Sequence, residues 1–229
     1  MIVKGTLVNA VAVLGGTCIG AVLKQEIPEK YQTSVMQALA LAVFLIGLQM
    51  ALKTQNILIV ILSLTGGSIL GEAVNIDGKL KVFGEWITKK MGSKQSSNIG
   101  QAFITTSLVY CAGALSVVGA LQDGLTGDAS TLYAKSMLDG IASVLFTITL
   151  GIGVGLSAVS ILFYQGVITL LAGYISPYLS EVVIREMTAV GGLLIVGISL
   201  SMLDYKKIKV ANWLPALPLA IIISLFWPA

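Results

Sequence analysis

Within an otherwise apolar stretch, Ser136, Asp139, Ser143 and Thr147 stand at offsets of three, four and four, which places one carboxylate and three hydroxyls on a single helix face. If that helix crosses a lipid bilayer, the carboxylate must meet a partner, water or a bound ion, because hydrocarbon solvates a charge poorly. The chemistry open to Asp139 is then the capture of a proton or a monovalent cation. Lys135 lies one turn earlier and offers a plainer account, an ordinary ion pair near the outer membrane surface. Both readings stand on the sequence.

The preceding stretch carries Thr105, Thr106, Ser107, Tyr110 and Ser116 and ends in Gln122 and Asp123. Asn9, Gln49, Tyr164 and Gln165 are the remaining uncharged polar groups of note inside apolar runs. Each alone can serve as a tie between helices. As a set, Asp139, Ser107, Tyr110, Ser116, Ser143, Thr147, Asn9, Gln49 and Gln165 can line a path for a small solute or ion, with Asp123, Asp128 and Lys135 at its outer mouth. The spacing of Asp123, Gly124, Gly127 and Asp128 fits no calcium loop, and turn-forming, solvated aspartates are the plainer account of those two carboxylates. Glu72, Glu181 and Glu186 fall near helix ends, where an interfacial position is expected.

Several chemistries are excluded outright. The chain has no histidine, which removes His-based triads, His-ligated zinc and histidine proton shuttles. No phosphate-binding Gly-x-x-x-x-Gly-Lys loop occurs. An intramembrane aspartyl protease built on Asp128 and Asp139 is the third and least favoured reading, because such a pair must share a proton at close range and Asp128 falls in an outer loop. Neither an enzyme activity, a metal nor a cofactor is expected.

These residues need helices in a membrane to position them. Of 229 residues 56% are hydrophobic and 11% charged, with a mean hydropathy of +0.93, too little polar surface to coat a water-soluble globule. Apolar runs near Ile2–Leu23, Val35–Leu52, Ile57–Val74, Ala102–Leu121, Met137–Gly153, Ala158–Ile175, Val182–Leu203 and Trp213–Trp227 predict about eight spanning helices in one all-α transmembrane domain over 1–229. The first run lacks a basic leader and reads as a retained helix. Residues 1–74 form the first three helices, 75–100 a linker, 101–157 a central polar hairpin and 158–229 the last three helices. The delicate boundary lies at Gly151, Gly153 and Gly155. Eight spans place Lys24, Lys30, Lys79, Lys81, Lys89, Lys90, Lys94, Lys206, Lys207 and Lys209 on one side and only Lys4, Lys53, Lys135 and Arg185 on the other, a bias that sets both termini outside the cytoplasm. The net charge of +3 therefore reflects topology, and no nucleic-acid partner is expected. In the linker, Leu80, Phe83, Ile87 and Met91 recur at helical spacing beside Lys79, Lys89 and Lys90, as in an amphipathic helix on the inner leaflet, either a topology anchor or a lipid sensor.

Gly15, Gly16, Thr17 and Gly20 match Gly66, Gly67, Ser68 and Gly71 in spacing, and both sets hold a Gly-x-x-x-Gly step, as do Gly151 and Gly155. A second echo relates Met36 through Leu52 to Met187 through Leu203. Together they raise the expectation of two inverted three-helix repeats flanking the central hairpin, with Asn9 and Gln165 on equivalent helices. Close packing of small helices also favours a homo-oligomer.

The run from Ser107, Tyr110, Gly113, Ala114 and Gly119 through Asp123, Gly124, Gly127, Asp128, Lys135, Leu138, Asp139 and Gly140 to Tyr164, Gln165 and Gly166, with the opening Gly5, Thr6, Asn9, Gly15 and Gly16, resembles the YqgA-like bacterial membrane proteins. The resemblance implies a one-domain helical bundle in the bacterial cytoplasmic membrane. It implies no substrate and no catalytic residue. Two functions compete: a small secondary transporter or channel-like carrier, and a membrane scaffold or lipid- and partner-sensing protein that moves no solute.

Overall fold

Glycine decides which helices of this chain touch. In the computed structural model, which describes residues 3–26, 28–79, 82, 99–111, 113–203 and 208–227, the helices are α1 (Lys4–Glu26), α2 (Glu29–Ala51), α3 (Ile57–Val74), α4 (Ile99–Cys111), α5 (Ala114–Thr126), α6 (Ser130–Leu150), α7 (Ser157–Leu170), the single turn α8 (Ala172–Ile175), α9 (Glu181–Met202) and α10 (Ala216–Phe226). Short 3₁₀ segments at Ile152–Leu156, Ser176–Tyr178 and Val210–Trp213 join some of them, and the described residues contain no strand.

A Cβ on Gly20 would meet the Val144 carbonyl oxygen at 2.5 Å, and one on Gly16 would collide with the Gly140 backbone, so α1 and α6 lie backbone to backbone. Gly5 faces Leu132 at the other end of the same seam, so the two helices run parallel. Gly47 and Gly192 allow the same approach between α2 and α9, and Gly67 and Gly71 allow it between α3 and the Asn212–Ala216 segment that opens α10; both pairs are antiparallel. Helices α4 and α5 lean on α7, which also packs against α1.

Five helical segments are long and apolar enough to cross a membrane, Lys4–Lys24, Thr33–Ala51, Ile57–Val74, Ile152–Leu170 and Glu181–Met202, and a bent pair formed by α4 and α5 makes a sixth. The exterior is correspondingly oily, with Val11, Leu41, Ile69, Leu138 and Phe163 exposed. The fifth and sixth predicted runs do separate at the glycines: α6 ends at Gly151, whose φ of 90° suits only glycine, and α7 begins at Ser157.

Three expectations change. The run Ala102–Leu121 is two helices bent by 60°, because Gly113 adopts an extended conformation (φ −80°, ψ 147°) that interrupts the helical ladder. Gly151 and Gly155 are not a helix-packing step but belong to the turn, where Gly153 takes the close contact, against the Ile99 backbone. Within the second echo, Gly47 packs on α9 while Gly197 receives the ring of Trp213, so matched positions do different work. The amphipathic linker residues Leu80, Phe83, Ile87 and Met91 and the lysines Lys206 and Lys207 lie outside the described residues.

The seam predicts a sharp contrast between neighbouring glycines. Gly20→Val should cost about 1–3 kcal/mol by overpacking, whereas Gly15→Ala, with nothing within 4 Å of the added carbon, should be neutral or stabilising. Thermal unfolding of the two variants in detergent checks this.

Candidate functional site

Helix α6 is amphipathic in the sense a membrane demands. Its buried face runs Leu132, Lys135, Ser136, Asp139, Ser143, Phe146, Thr147 and Leu150, while Met137, Leu138 and Ile141 are exposed. The predicted polar stripe is thus the face turned into the bundle. On it Lys135 and Asp139 form an i, i+4 ion pair and are only 6% and 8% exposed. The Lys135 ammonium also lies 5.8 Å from the centre of the Tyr110 ring, over a face that attracts cations.

The groups around this pair are hydrogen-bonded into a network. Ser143 donates to the Asp139 carbonyl oxygen (2.7 Å), which leaves its Oγ to accept from the Tyr110 hydroxyl (2.7 Å). Tyr110 ends α4, and the interruption at Gly113 frees its carbonyl, which accepts from Ser116 Oγ at 2.5 Å. Gln165 Nε2 donates to that same Ser116 oxygen at 3.1 Å, and Asn9 Nδ2 donates to Gln165 Oε1 at 3.4 Å. Five helices, α1, α4, α5, α6 and α7, therefore share one buried polar cluster, with the broken helix at its centre. Buried irregular backbone needs partners for its free groups, and Ser116 supplies one here.

The structure brings Asp139, Lys135, Tyr110, Ser143, Ser116, Asn9 and Gln165 together. Thr147 is fully buried one turn along α6, with its hydroxyl unpartnered. Ser107 belongs elsewhere: it bonds Ser160 (2.9 Å) in an apolar cleft of about 420 Å³ between α4, α7, α9 and α10. Gln49 is exposed on α2, apart from the network.

The two aspartates expected at an outer mouth differ. Asp128 is exposed and accepts from Ser130 N (2.9 Å) and Gln122 Nε2 (2.7 Å), a turn-forming role; the Ser130 amide holds its carboxyl below the usual aspartate range. Asp123, expected to be solvated, is only 2% exposed and takes the Gly5 amide at the start of α1 (3.1 Å). Glu186, expected at an interface, is fully buried and accepts from Thr54, Gln55 N (3.0 Å) and Arg185 Nε (3.2 Å), which ties the turn between α2 and α3 to α9. Its position beside a charged neighbour at a helix start gave no sign of this. At the opposite end of α3, Glu72 is exposed as expected and pairs with Lys209 (2.9 Å) and Asn212, lifting the Lys209 ammonium above the ordinary lysine range. Thr6 and Thr169, buried and with unpartnered hydroxyls, were not singled out, because threonine in an apolar run usually just bonds its own helix.

The comparisons agree with this picture of an apolar helical protein. Residues 4–225 match the family model described as Protein of unknown function (DUF554). Over 219 residues the chain is 33% identical to the "Uncharacterized membrane protein YdfK" of Bacillus subtilis (strain 168), covering 93% of this chain and 92% of that one. It is 31% identical over 234 residues to the "Uncharacterized protein YqgA" of Escherichia coli (strain K12), covering 99% and 98%. No solved structure matches.

The ion pair makes a thermodynamic prediction. Lys135→Met or Asp139→Leu alone strands a buried charge and should cost about 3–5 kcal/mol, while the double variant should recover most of that loss. Unfolding temperatures of the four proteins in a double-mutant cycle measure it.

Proposed function

The chain belongs to the DUF554 family of proteins of unknown function, and from that premise we propose that it is a small secondary transporter or channel-like carrier. Its path for a small solute or ion is lined by the broken helix α4–α5 and the buried face of α6. The observation that carries the reading is the Lys135–Asp139 pair, set in the interior of an apolar bundle beside a helix break. A buried ion pair adds little net stability compared with apolar residues of similar volume, so its presence here asks for another reason. Discontinuous helices with polar groups at the break are the usual setting of a transporter's site. In the working cycle Asp139 exchanges Lys135 for a proton or for a cation on the solute.

The fold is read as eight crossings of a bacterial cytoplasmic membrane, with both termini outside. Beyond the six long candidates, this requires α6, which carries its charges on the protected face, and the short segment Val210–Phe226 to cross as well. The parallel course of α1 and α6 and the antiparallel courses of α2 with α9 and α3 with α10 fit that count. Contacts of α1 with α7, α2 with α9 and α3 with α10 also pair each helix of the first three with its counterpart in the last three, as inverted repeats would. The Asn9–Gln165 bond joins the equivalent helices α1 and α7. A homo-oligomer in the bilayer and a non-enzymatic role belong to the same reading.

The competing reading, a scaffold or lipid- and partner-sensing protein without transport, draws on the apolar cleft beside Ser107. Liposome flux decides between them. Purified protein should move protons or sodium when the right member of a panel of small solutes is added, and Asp139→Asn should abolish that flux. Silence from correctly inserted wild type favours the scaffold.

A further inference from the structure

Four oxygens near the outer end of α1 have no partner. They are Asp123 Oδ1, Thr6 Oγ1, Asn9 Oδ1 and Thr169 Oγ1, on residues each no more than 2% exposed. A few orphaned polar atoms are ordinary in a structure, but each calls for an explanation, and here four sit on three helices, α1, α5 and α7, that pack against one another. Asp123 reaches the first turn of α1 through its other oxygen, bonded to Gly5 N. The next residue, Gly124, packs directly on the backbone of Thr169. Helices α1 and α7 are antiparallel: Thr17 lies against Gly155 and Asn9 bonds Gln165, so the register sets Thr6 one turn further out, opposite Thr169.

The charge of this cluster is equally unbalanced. Among the described residues no ion pair reaches Asp123; Lys135 is taken by Asp139 and Arg185 by Glu186, and Lys4, close by in sequence, is exposed. A single carboxylate with hydroxyl and amide oxygens is a hard donor set of net charge minus one. It suits a small monovalent cation. A divalent ion would call for more carboxylates, and a transition metal for softer ligands.

We propose that Asp123, Thr6, Asn9 and Thr169 form a sodium site joining α1, α5 and α7. Asn9 belongs to both assemblies: its Nδ2 holds Gln165 in the polar network, while its Oδ1 faces the ion. Filling the site therefore fixes the side chain that holds Gln165, which links ion binding to the polar network. As a coupling-ion site the assignment rests on the carrier reading; as a binding site it rests on these oxygens alone.

The test uses the full-length protein purified in detergent, melted in sodium, potassium or choline chloride at equal ionic strength and titrated with sodium chloride by calorimetry. Sodium should raise the melting temperature by about 3 °C or more over choline, with potassium weaker. Thr169→Val should weaken sodium binding about tenfold, and Asp123→Asn should abolish it. Should Asp123→Asn fail to fold, Thr169→Val decides. Equal melting in all three salts, or an undiminished sodium response in Thr169→Val, overturns the site. Solute flux that ignores sodium, with no sodium response in melting, removes the site and leaves the carrier; sodium binding without any flux removes the carrier and leaves the site.

Discussion

The Lys135–Asp139 pair fixes the place of α6, and the rest of the bundle follows from that placement. In the proposed membrane setting a helix with both charges on one face cannot turn that face to hydrocarbon, and α6 sits with Lys135, Asp139, Ser143 and Thr147 inward and Met137, Leu138 and Ile141 outward. Something must then cover the polar face closely enough to exclude lipid. Helix α1 does so because Gly16 and Gly20 let its backbone touch that of α6. Tyr110 closes another side, its ring beside the ammonium and its hydroxyl on Ser143. The Tyr110 ring also packs edge-on to Phe146, 6.2 Å between centroids, so one residue borders both the polar and the apolar halves of the core.

The helix break serves the same constraint. A straight α4–α5 would keep its carbonyls to itself; the extended Gly113 releases that of Tyr110, and Ser116, itself held by Gln165, satisfies it from within the bundle. Polarity is spread unevenly along the helices. Asp123, Asp139 and Glu186 are buried toward the end that holds Lys53 and Arg185, while the opposite end is tied at its surface by Glu72, Lys209 and Asn212. One end carries protected charge and the other a solvated latch.

Much of this was legible in residue types and spacing. The stripe from Ser136 to Thr147, the glycine steps at Gly16–Gly20 and Gly67–Gly71 and the turn at Gly151 all act through local periodicity or glycine's small size, which a sequence displays directly. Asn9 and Gln165, which bond each other, stood out as polar residues inside apolar runs. Features set by distant partners were hidden. Nothing near Asp123 in sequence announces that Gly5, 118 residues away, will take its carboxylate, nor that Thr54 and Gln55 will bury Glu186. The break at Gly113 was missed because glycine is common within membrane helices, and only Ser116 on the Tyr110 carbonyl distinguishes this one. Gln49 and Ser107 lie apart from the network, a separation the sequence does not display, because an apolar run tells which residues are inside a helix, not which side they face.

The central claim is that this polar interior is a path that opens to water, and cysteine accessibility in membranes measures it most directly. In a background lacking Cys18 and Cys111, Ser116→Cys and Ser143→Cys should be modified by a small hydrophilic thiol reagent, at a rate that changes with the ions or solutes present, while Ile141→Cys on the lipid face stays unreactive. Complete silence from both interior positions under every condition, with the protein folded, would mean that the network only ties helices together and would contradict the account.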